Sequence, residues 1–502
     1  MNPAALKAAV SAWQQAKALH AAGRLPESEP YYRKALQILP TTADLLADYG
    51  RLAEQLGDWN AAEKIWHRFS VAAPTRPALN HRGLALIQLE RFDEALAVLQ
   101  AHQQRYPDDL DSLVNVAVCL SRLDRNEEAV PLLRDACARR PEHELVQESL
   151  ATLLINAGEP AEAESVLRGA IARFPGNNDL RYMLMEHRLK TFDFAGGFNL
   201  FDARWGTRFV GQAFTLPRDR LWDGEPFEGK LLVRAEQGIG DELLYSNLFG
   251  DLLARHADAV FDCDPRLLPL FARSFPQATF ISRDTPEDDP LRAGYARQCV
   301  AGDLCRWLRR SVDDFPRRSG WLKPDAARRD ALLAEYRSRF GSLLRVGISW
   351  RSKHPVNGPA KSLALEQLKP LLALPGIRFF ALQYGDTADE IRRFSETQGI
   401  DIHVEAAVDP THDLDGLAAQ IDAMDVVVST SNSTVHLAGA LGVPTWVMLQ
   451  RDQGLSWYWG YEGERMPWYP NTRLLRCPAR GDWQPVIHEV ASRLAARART
   501  GS

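Results

Sequence analysis

Residues 426–442 read VVVSTSNSTVHLAGALG. Three consecutive valines, a cluster of Ser, Thr and Asn, and then an Ala/Gly/Leu run describe a buried strand turning into a helix. The first N–H groups of such a helix have no partner within it and sit at the positive end of its dipole. A phosphate fits that position. Ser431 or Ser433 acting as a plain helix cap is the other account of the same residues.

The segments around this junction extend the pattern in both directions. From residue 344 onward RVGISW, RFFALQ, DVVVST and TWVML read as strands, separated by the helical stretches LALEQLKPLLAL, LDGLAAQIDAM and STVHLAGALG. Upstream, a polar, aromatic linker leads into the strand LLVRA, the glycine turn EQGIGDE, an amphipathic helix and a further strand, AVFDCD. A repeated strand–loop–helix–strand order implies parallel sheets with ligands at the carboxyl ends of the strands. Two lobes joined near residues 322–342 are expected to leave a cleft, and WQPVIHEVASRLAARA is expected to be an amphipathic helix packing back across them.

The N-terminal part obeys a different period. Prolines fall at Pro40, Pro74, Pro107, Pro141 and Pro175, spacings of 34, 33, 34 and 34 residues. Small residues recur in register at Gly50, Gly83, Ala117 and Ala151, and again at Ala62, Ala95, Ala129 and Ala163. A fixed period of this size means stacked helical hairpins, with small residues where helices cross closely and a proline ending the second helix. Five units cover about residues 8–178, resembling the tetratricopeptide (TPR) repeat, and a sixth, degenerate pair follows in LRYMLMEHRLKTFDFAGGFNLFDARW. Such an array binds a peptide or protein on its concave face, or else serves as a scaffold. Of the positions an asparagine ladder would occupy, Asn115 fits and Asp48, His81 and Ser149 do not, so a ladder is not supported.

At 502 residues the chain exceeds one core, and 45% apolar with 25% charged residues is ordinary for a folded protein. A net charge of −5 excludes a general nucleic-acid binder. There is no run of 18 apolar residues and no apolar leader at the N-terminus, so the chain is expected in the cytoplasm. Six scattered cysteines without a CxxC pair indicate neither a zinc site nor a disulfide framework.

Five stretches, WDGEPFEGKLLVRAEQGIGD, VGISWRS, FFALQYGD, VVVSTSNSTVHLAGALGVPTWVML and ERMPWYPNTRLLRC, together resemble bacterial TPR-linked glycosyltransferases. Their catalytic part is similar to the heptosyltransferase-like family and, more distantly, to O-linked N-acetylglucosamine transferase. The resemblance implies a TPR solenoid (residues 1–180), a degenerate helical pair and linker (181–220), and a GT-B α/β fold of two Rossmann-like lobes facing a cleft. The N-terminal lobe (221–335) would take the acceptor and the C-terminal lobe (336–480) the nucleotide-sugar, with a C-terminal helix and tail at 481–502. No cofactor and no metal are expected.

On this resemblance Ser431, Asn432, Ser433 and Thr434 offer donors to the diphosphate. His436 contacts a phosphate oxygen, or is a capping or core histidine. Trp350, Arg351 and Ser352 end the strand VGISW. Arg351 and Lys361, the latter in a loop with Asn357 and Gly358, are the cationic candidates, with Lys353 as a rival lysine. Gln383 lies where the nucleobase or ribose is held. In the acceptor-side loop Glu236, Gln237, Gly238 and Gly240, the glycines let the backbone approach a ligand. Asp241 is the expected general base, with Glu236 and Glu242 as rivals and an N-cap role as the alternative. Asp262 and Asp264 imitate a metal-binding DxD and are read instead as turn chemistry. DELLYSNLFGDLL is read as a core-facing helix. Relatives commonly carry an acidic residue where Ser431 stands.

The expected activity is sugar transfer from a nucleotide donor to a hydroxyl, on a protein recruited by the array, with a flagellin-like acceptor among the choices. The alternative is a TPR adaptor with a degenerate transferase half.

Overall fold

Each proline of the 34-residue series lies two residues beyond the end of a helix. The helices pair as α1 (Pro3–Ala21) with α2 (Leu25–Ile38), α3 (Ala43–Gln55) with α4 (Trp59–Ala72), α5 (Arg76–Gln88) with α6 (Phe92–Arg105), α7 (Leu110–Arg122) with α8 (Asn126–Arg139), and α9 (Glu144–Asn156) with α10 (Pro160–Arg173). This computed structural model describes residues 2–210, 216–317, 320–354, 358–451 and 456–500, and divides into two compact units, 1–180 and 181–502.

The first unit is a helical, TPR-like solenoid. Its recurrent small residues are buried because the helices cross there: a methyl on Gly50 would stand 2.5 Å from the Trp66 ring, and one on Gly83 would collide with Leu99. The turn inside each hairpin needs one residue in the left-handed region. Gly23, Gly57 and Gly158 supply it at φ +72°, +72° and +77°, whereas Glu90 and Asp124 adopt it at +57° and +58° without being glycine. Phe192, 34 residues after Gly158, continues the series at φ +64°. It joins α11 (Asn178–Lys190) to the short α12 (Phe194–Phe198), which is the degenerate sixth pair. The boundary between the units falls inside α11, and Met185, Leu189, Phe194 and Phe198 belong to the core of the second unit.

The second unit is α/β. Its first half runs β1 (Leu231–Arg234), α13 (Ile239–Tyr245), α14 (Phe249–Leu253), β2 (Val260–Cys263), α15 (Leu268–Ser274), β3 (Thr279–Ser282), β4 (Arg297–Val300), α16 (Cys305–Leu308) and α17 (Ala326–Phe340). The expected linker at 322–342 is therefore mostly helical: Asp325 caps the N-terminus of α17 by accepting the Arg328 N–H, and Gly341 ends it at φ +64°. The second half runs β5 (Leu344–Ser349), α18 (Lys369–Leu372), β6 (Ile377–Ala381), α19 (Ala388–Gln398), α20 (Leu414–Asp422), β7 (Val426–Thr430), α21 (Ser433–Leu441), β8 (Thr445–Leu449), β9 (Thr472–Arg476) and α22 (Gln484–Thr500). The expected helix at 363–374 is shortened to a 3-10 turn and α18, which starts at Lys369 with Pro370 in its first turn.

Both sheets are parallel, ordered β3-β2-β1-β4 and β6-β5-β7-β8-β9. Their winding reverses between β1 and β4 and between β5 and β7, and crevices at such reversals are where open α/β sheets bind ligands. One hydrophobic core runs from Leu231 and Val233 of the first sheet to Phe380, Val427 and Val447 of the second. Trp321 ties them further, donating from Nε1 to Ser246 Oγ at 2.8 Å while its backbone N–H bonds Ala440 O at 2.9 Å. The two halves are thus packed together through this core. α22 does not span both halves: Val486, Ile487, Val490 and Leu494 join a separate core with Val346, Ile348 and Trp350 on the second sheet.

Candidate functional site

At the end of β1 the chain enters α13 through Gln237, whose φ of +59° is strained for a side-chain-bearing residue. Gly238 is the N-cap, and its N–H donates to Asp241 Oδ2 at 3.3 Å. Asp241 is thus the third residue of the helix, closing the cap from within. Burial pushes its carboxyl up to about 6, opposed by the Gly238 N–H and by the charge of Lys361 and reinforced by Glu236. Gly240 serves a neighbouring helix where ligand approach was expected: a methyl there would lie 3.2 Å from His436 Cδ2 and 3.9 Å from Ser433 Cα, so glycine lets α13 close on the first turn of α21.

The rival acids are spent elsewhere. Glu236, buried, receives Arg204 Nε and Nη2 at 3.0 and 3.2 Å and the Gly302 N–H at 2.7 Å. Arg204 also reaches Asp303 at 3.0 Å and lies over the Phe201 ring. Glu242, buried, accepts the Asp264 N–H at 2.9 Å and pairs with Arg283. Asp262 accepts the Ala235 N–H and meets Arg292 at 3.2 Å, and Asp264 holds Arg266 at 2.9 Å, which is turn and ion-pair chemistry.

The opposite wall is the β5 and β7 termini. Gln383 Oε1 accepts from the N–H groups of Trp350 and Arg351 at 2.8 and 2.7 Å and from Ser349 Oγ at 3.1 Å, while its Nε2 donates to Arg351 O and Tyr384 O. Its amide fixes the β5 turn and is not presented to a base or ribose. Trp350 is fully buried in the outer core. Arg351 pairs with Glu390 at 2.8 Å, and the Ser352 N–H donates to Ser362 Oγ at 3.0 Å. Lys361 is the lysine whose charge acts on both Asp241 and His436, whereas Lys353 is exposed and lies over Gly385. Asn357 lies outside the described residues.

Asn432, rather than either serine, caps α21: its Oδ1 accepts the Thr434 N–H at 3.0 Å, and its Nδ2 donates to Ser349 Oγ at 2.8 Å and Arg351 O at 3.1 Å. Ser431 Oγ accepts from Trp459 Nε1 at 2.9 Å, and Thr434 is buried against Ser349. Ser433 is the half-exposed member of the cluster. His436 is a core histidine. It is 3% exposed, its Nδ1 lies 2.9 Å from Tyr469 Oη and its Nε2 3.2 Å from Tyr458 Oη, and its ring stacks on Trp459 at 5.6 Å. Burial and then Lys361 hold its pKa down to about 3, so the ring is neutral at physiological pH.

The structure therefore brings Asp241, Lys361, Ser433 and the α21 N-terminus together, and turns Trp350, Gln383, Ser431, Asn432 and His436 inward as supports. Sequence reasoning missed the aromatic floor of Tyr458, Trp459 and Tyr469, and Arg204 behind Glu236. The density of aromatic residues in 457–461, WYWGY, was the available signal.

Comparison with known proteins gives partial likenesses. The Coatomer epsilon subunit family matches residues 52–152, inside the array. The protein FlbA of Caulobacter vibrioides is 28% identical over 484 residues, which cover 92% of this chain and 80% of FlbA. Among solved structures, a tetratricopeptide repeat protein from Parabacteroides merdae shares 16% identity at a TM-score of 0.36, covering 40% of this chain and 81% of its own. TTC0263 of Thermus thermophilus, a thermophilic TPR protein, shares 21% at 0.31, covering 36% and 100%. No helix among the described residues is long and apolar enough to cross a membrane.

Proposed function

We propose that residues 181–502 form a metal-independent glycosyltransferase of the GT-B type, and that the array delivers its protein acceptor. The nucleotide-sugar's diphosphate lies at the first turn of α21 beside Lys361, and Asp241 removes the proton of the acceptor hydroxyl as that oxygen attacks the anomeric carbon. The observation that carries this reading is the standing of Asp241. Of the three acids around the glycine turn, Glu236 and Glu242 are engaged by arginines, while Asp241 is held against α21 with a carboxyl that ionises near pH 6. A base of that pKa is ionised at neutral pH and retains basicity. A flagellin-like protein is the first acceptor to try.

The test is release of nucleotide from a panel of nucleotide-sugars, with and without acceptor, by the full chain and by Asp241→Asn. Turnover by the wild type that the variant loses supports the assignment. Equal turnover in both removes Asp241 from the mechanism.

The inward engagement of Ser431, Gln383 and His436 favours a second reading, a TPR adaptor whose α/β half retains the fold without the reaction. Calorimetry with the same nucleotides separates the two, since binding of none of them favours the adaptor.

A further inference from the structure

We propose that Tyr469, His436 and Tyr458 form a one-way hydrogen-bond relay that presents the Tyr458 hydroxyl proton to a phosphate oxygen. This rests on the reading that the site takes a phosphorylated donor. His436 sits between two phenols, with Nδ1 2.9 Å from Tyr469 Oη and Nε2 3.2 Å from Tyr458 Oη. A neutral imidazole has one N–H and one bare nitrogen, so the chain of hydrogen bonds has a direction.

Burial decides which. Tyr469 is 0% exposed, lies flat against Trp321 at 5.6 Å and crosses α21 where Gly439 leaves room for its ring. Among the described residues its hydroxyl has His436 Nδ1 as its hydrogen-bond partner. If Nδ1 carried the proton, the phenol would accept and its own hydrogen would be buried without a partner, at a cost of about 1–3 kcal/mol. Tyr469 therefore donates to Nδ1. The proton of the ring is then on Nε2, which donates to Tyr458 Oη. Tyr458 is half-exposed and hydrogen-bonded to half-exposed Ser456, whose hydroxyl acts as a donor to the phenol oxygen, so its own O–H is left for a group outside the core. Gly240 packs on the same imidazole and the Asp241 carboxylate acts on the Tyr458 phenol, which puts Tyr458 on the Asp241 side of α21, while the charge of Lys361 acts on the His436 ring and on Asp241. The relay supplies a neutral donor in a site that also feels a cation, the pairing a diphosphate takes. His436 and Tyr469 are positioning residues, and Tyr458 contacts the ligand.

The test has two readouts on the full chain. ¹⁵N NMR of the imidazole reports the tautomer without ligand: the wild type is expected as Nε2–H, and Tyr469→Phe is expected to keep it so, because an Nδ1–H would then face the Phe ring without an acceptor. An Nδ1–H wild type overturns the relay whatever the nucleotide result. Calorimetry with inorganic pyrophosphate and with nucleoside diphosphates gives the second readout. Tyr458→Phe is expected to weaken binding by about tenfold or more, the range of a hydrogen bond to a charged group. Equal binding by Tyr458→Phe, or no binding of pyrophosphate by the wild type, overturns the proposal. Pyrophosphate binding that depends on Tyr458, with no nucleotide preferred, keeps the relay and removes the nucleotide-sugar reading.

Discussion

The array and the α/β unit use their polar residues differently. In the array, Arg24 with Glu27, Arg91 with Glu94 and Arg125 with Glu128 pair three residues apart at the exposed starts of α2, α6 and α8. Such pairs are screened and contribute little. The fold rests on nearest-neighbour packing of small residues against Trp66 or Leu99. In the α/β unit polar side chains reach across long sequence separations into buried sites: Arg204 to Glu236, Gln383 to the β5 turn, Asn432 to Ser349. There, removing one partner leaves another unsatisfied, so errors spread. A repeat tolerates local change, while the site depends on distant residues being correct together.

The contrast is broken most sharply at Asp241. Asp241→Asn is expected to lower transfer by about 10²–10⁴-fold, the worth of a positioned base, while making the protein more stable at pH 8. The sign follows from burial: a carboxyl raised from 3.8 to about 6 costs stability once ionised, so the variant's gain, about 3 kcal/mol at most, is present above pH 6 and vanishes below pH 4. Denaturant melts of both proteins at the two pH values check it. Wild-type activity should fall as pH drops through about 6.

Next in size is Glu236→Gln, expected to cost about 3 kcal/mol because Arg204 stays buried with Asp303 as its remaining carboxylate. Urea unfolding should show the loss across the α/β unit, and a change confined to the array would contradict the contrast. Gly50→Val, driving a side chain into Trp66, is expected to cost about 1–3 kcal/mol, with amide-exchange protection lost in α3, α4 and their neighbours and kept in β5 and β7. Smallest is acid behaviour. His436 must be protonated on unfolding, its pKa rising from about 3 to an ordinary value near 6.5, so it makes stability fall on acidification between those limits. Between pH 4 and 6 Asp241 acts in the opposite direction. Asp241→Asn should therefore steepen that limb by about one proton, about 1.4 kcal/mol per pH unit.

Much of the fold was legible. The prolines marked the helix ends, and the runs LLVRA, AVFDCD, RVGISW, RFFALQ, DVVVST and TWVML fall on β1, β2, β5, β6, β7 and β8, whereas β3 and β4, TFIS and RQCV, were not read as strands. β9 and α19 escaped notice because TRLLR is short and mixed, and the helix 388–398 is mostly polar. The site was legible as a place rather than as a set of roles. The Ser/Asn/Thr cluster does open a helix at a sheet reversal, yet the residue that caps it is Asn432.

What the sequence by itself determined is what local rules can carry: the 34-residue period, the small residues at helix crossings, the strand–turn–helix junction at 426–442 and the cluster of acids at 236–242. Only the tertiary structure decided which of those polar groups remain available. Glu236 lost its candidacy to Arg204, 32 residues away, and His436 lost its phosphate to Tyr458 and Tyr469. Among the described residues no arginine pairs with Asp241, which leaves it the acid to test. The physical reason is that a side chain's chemistry is set by burial and by partners brought from distant parts of the chain, and neither is encoded within a few residues of it.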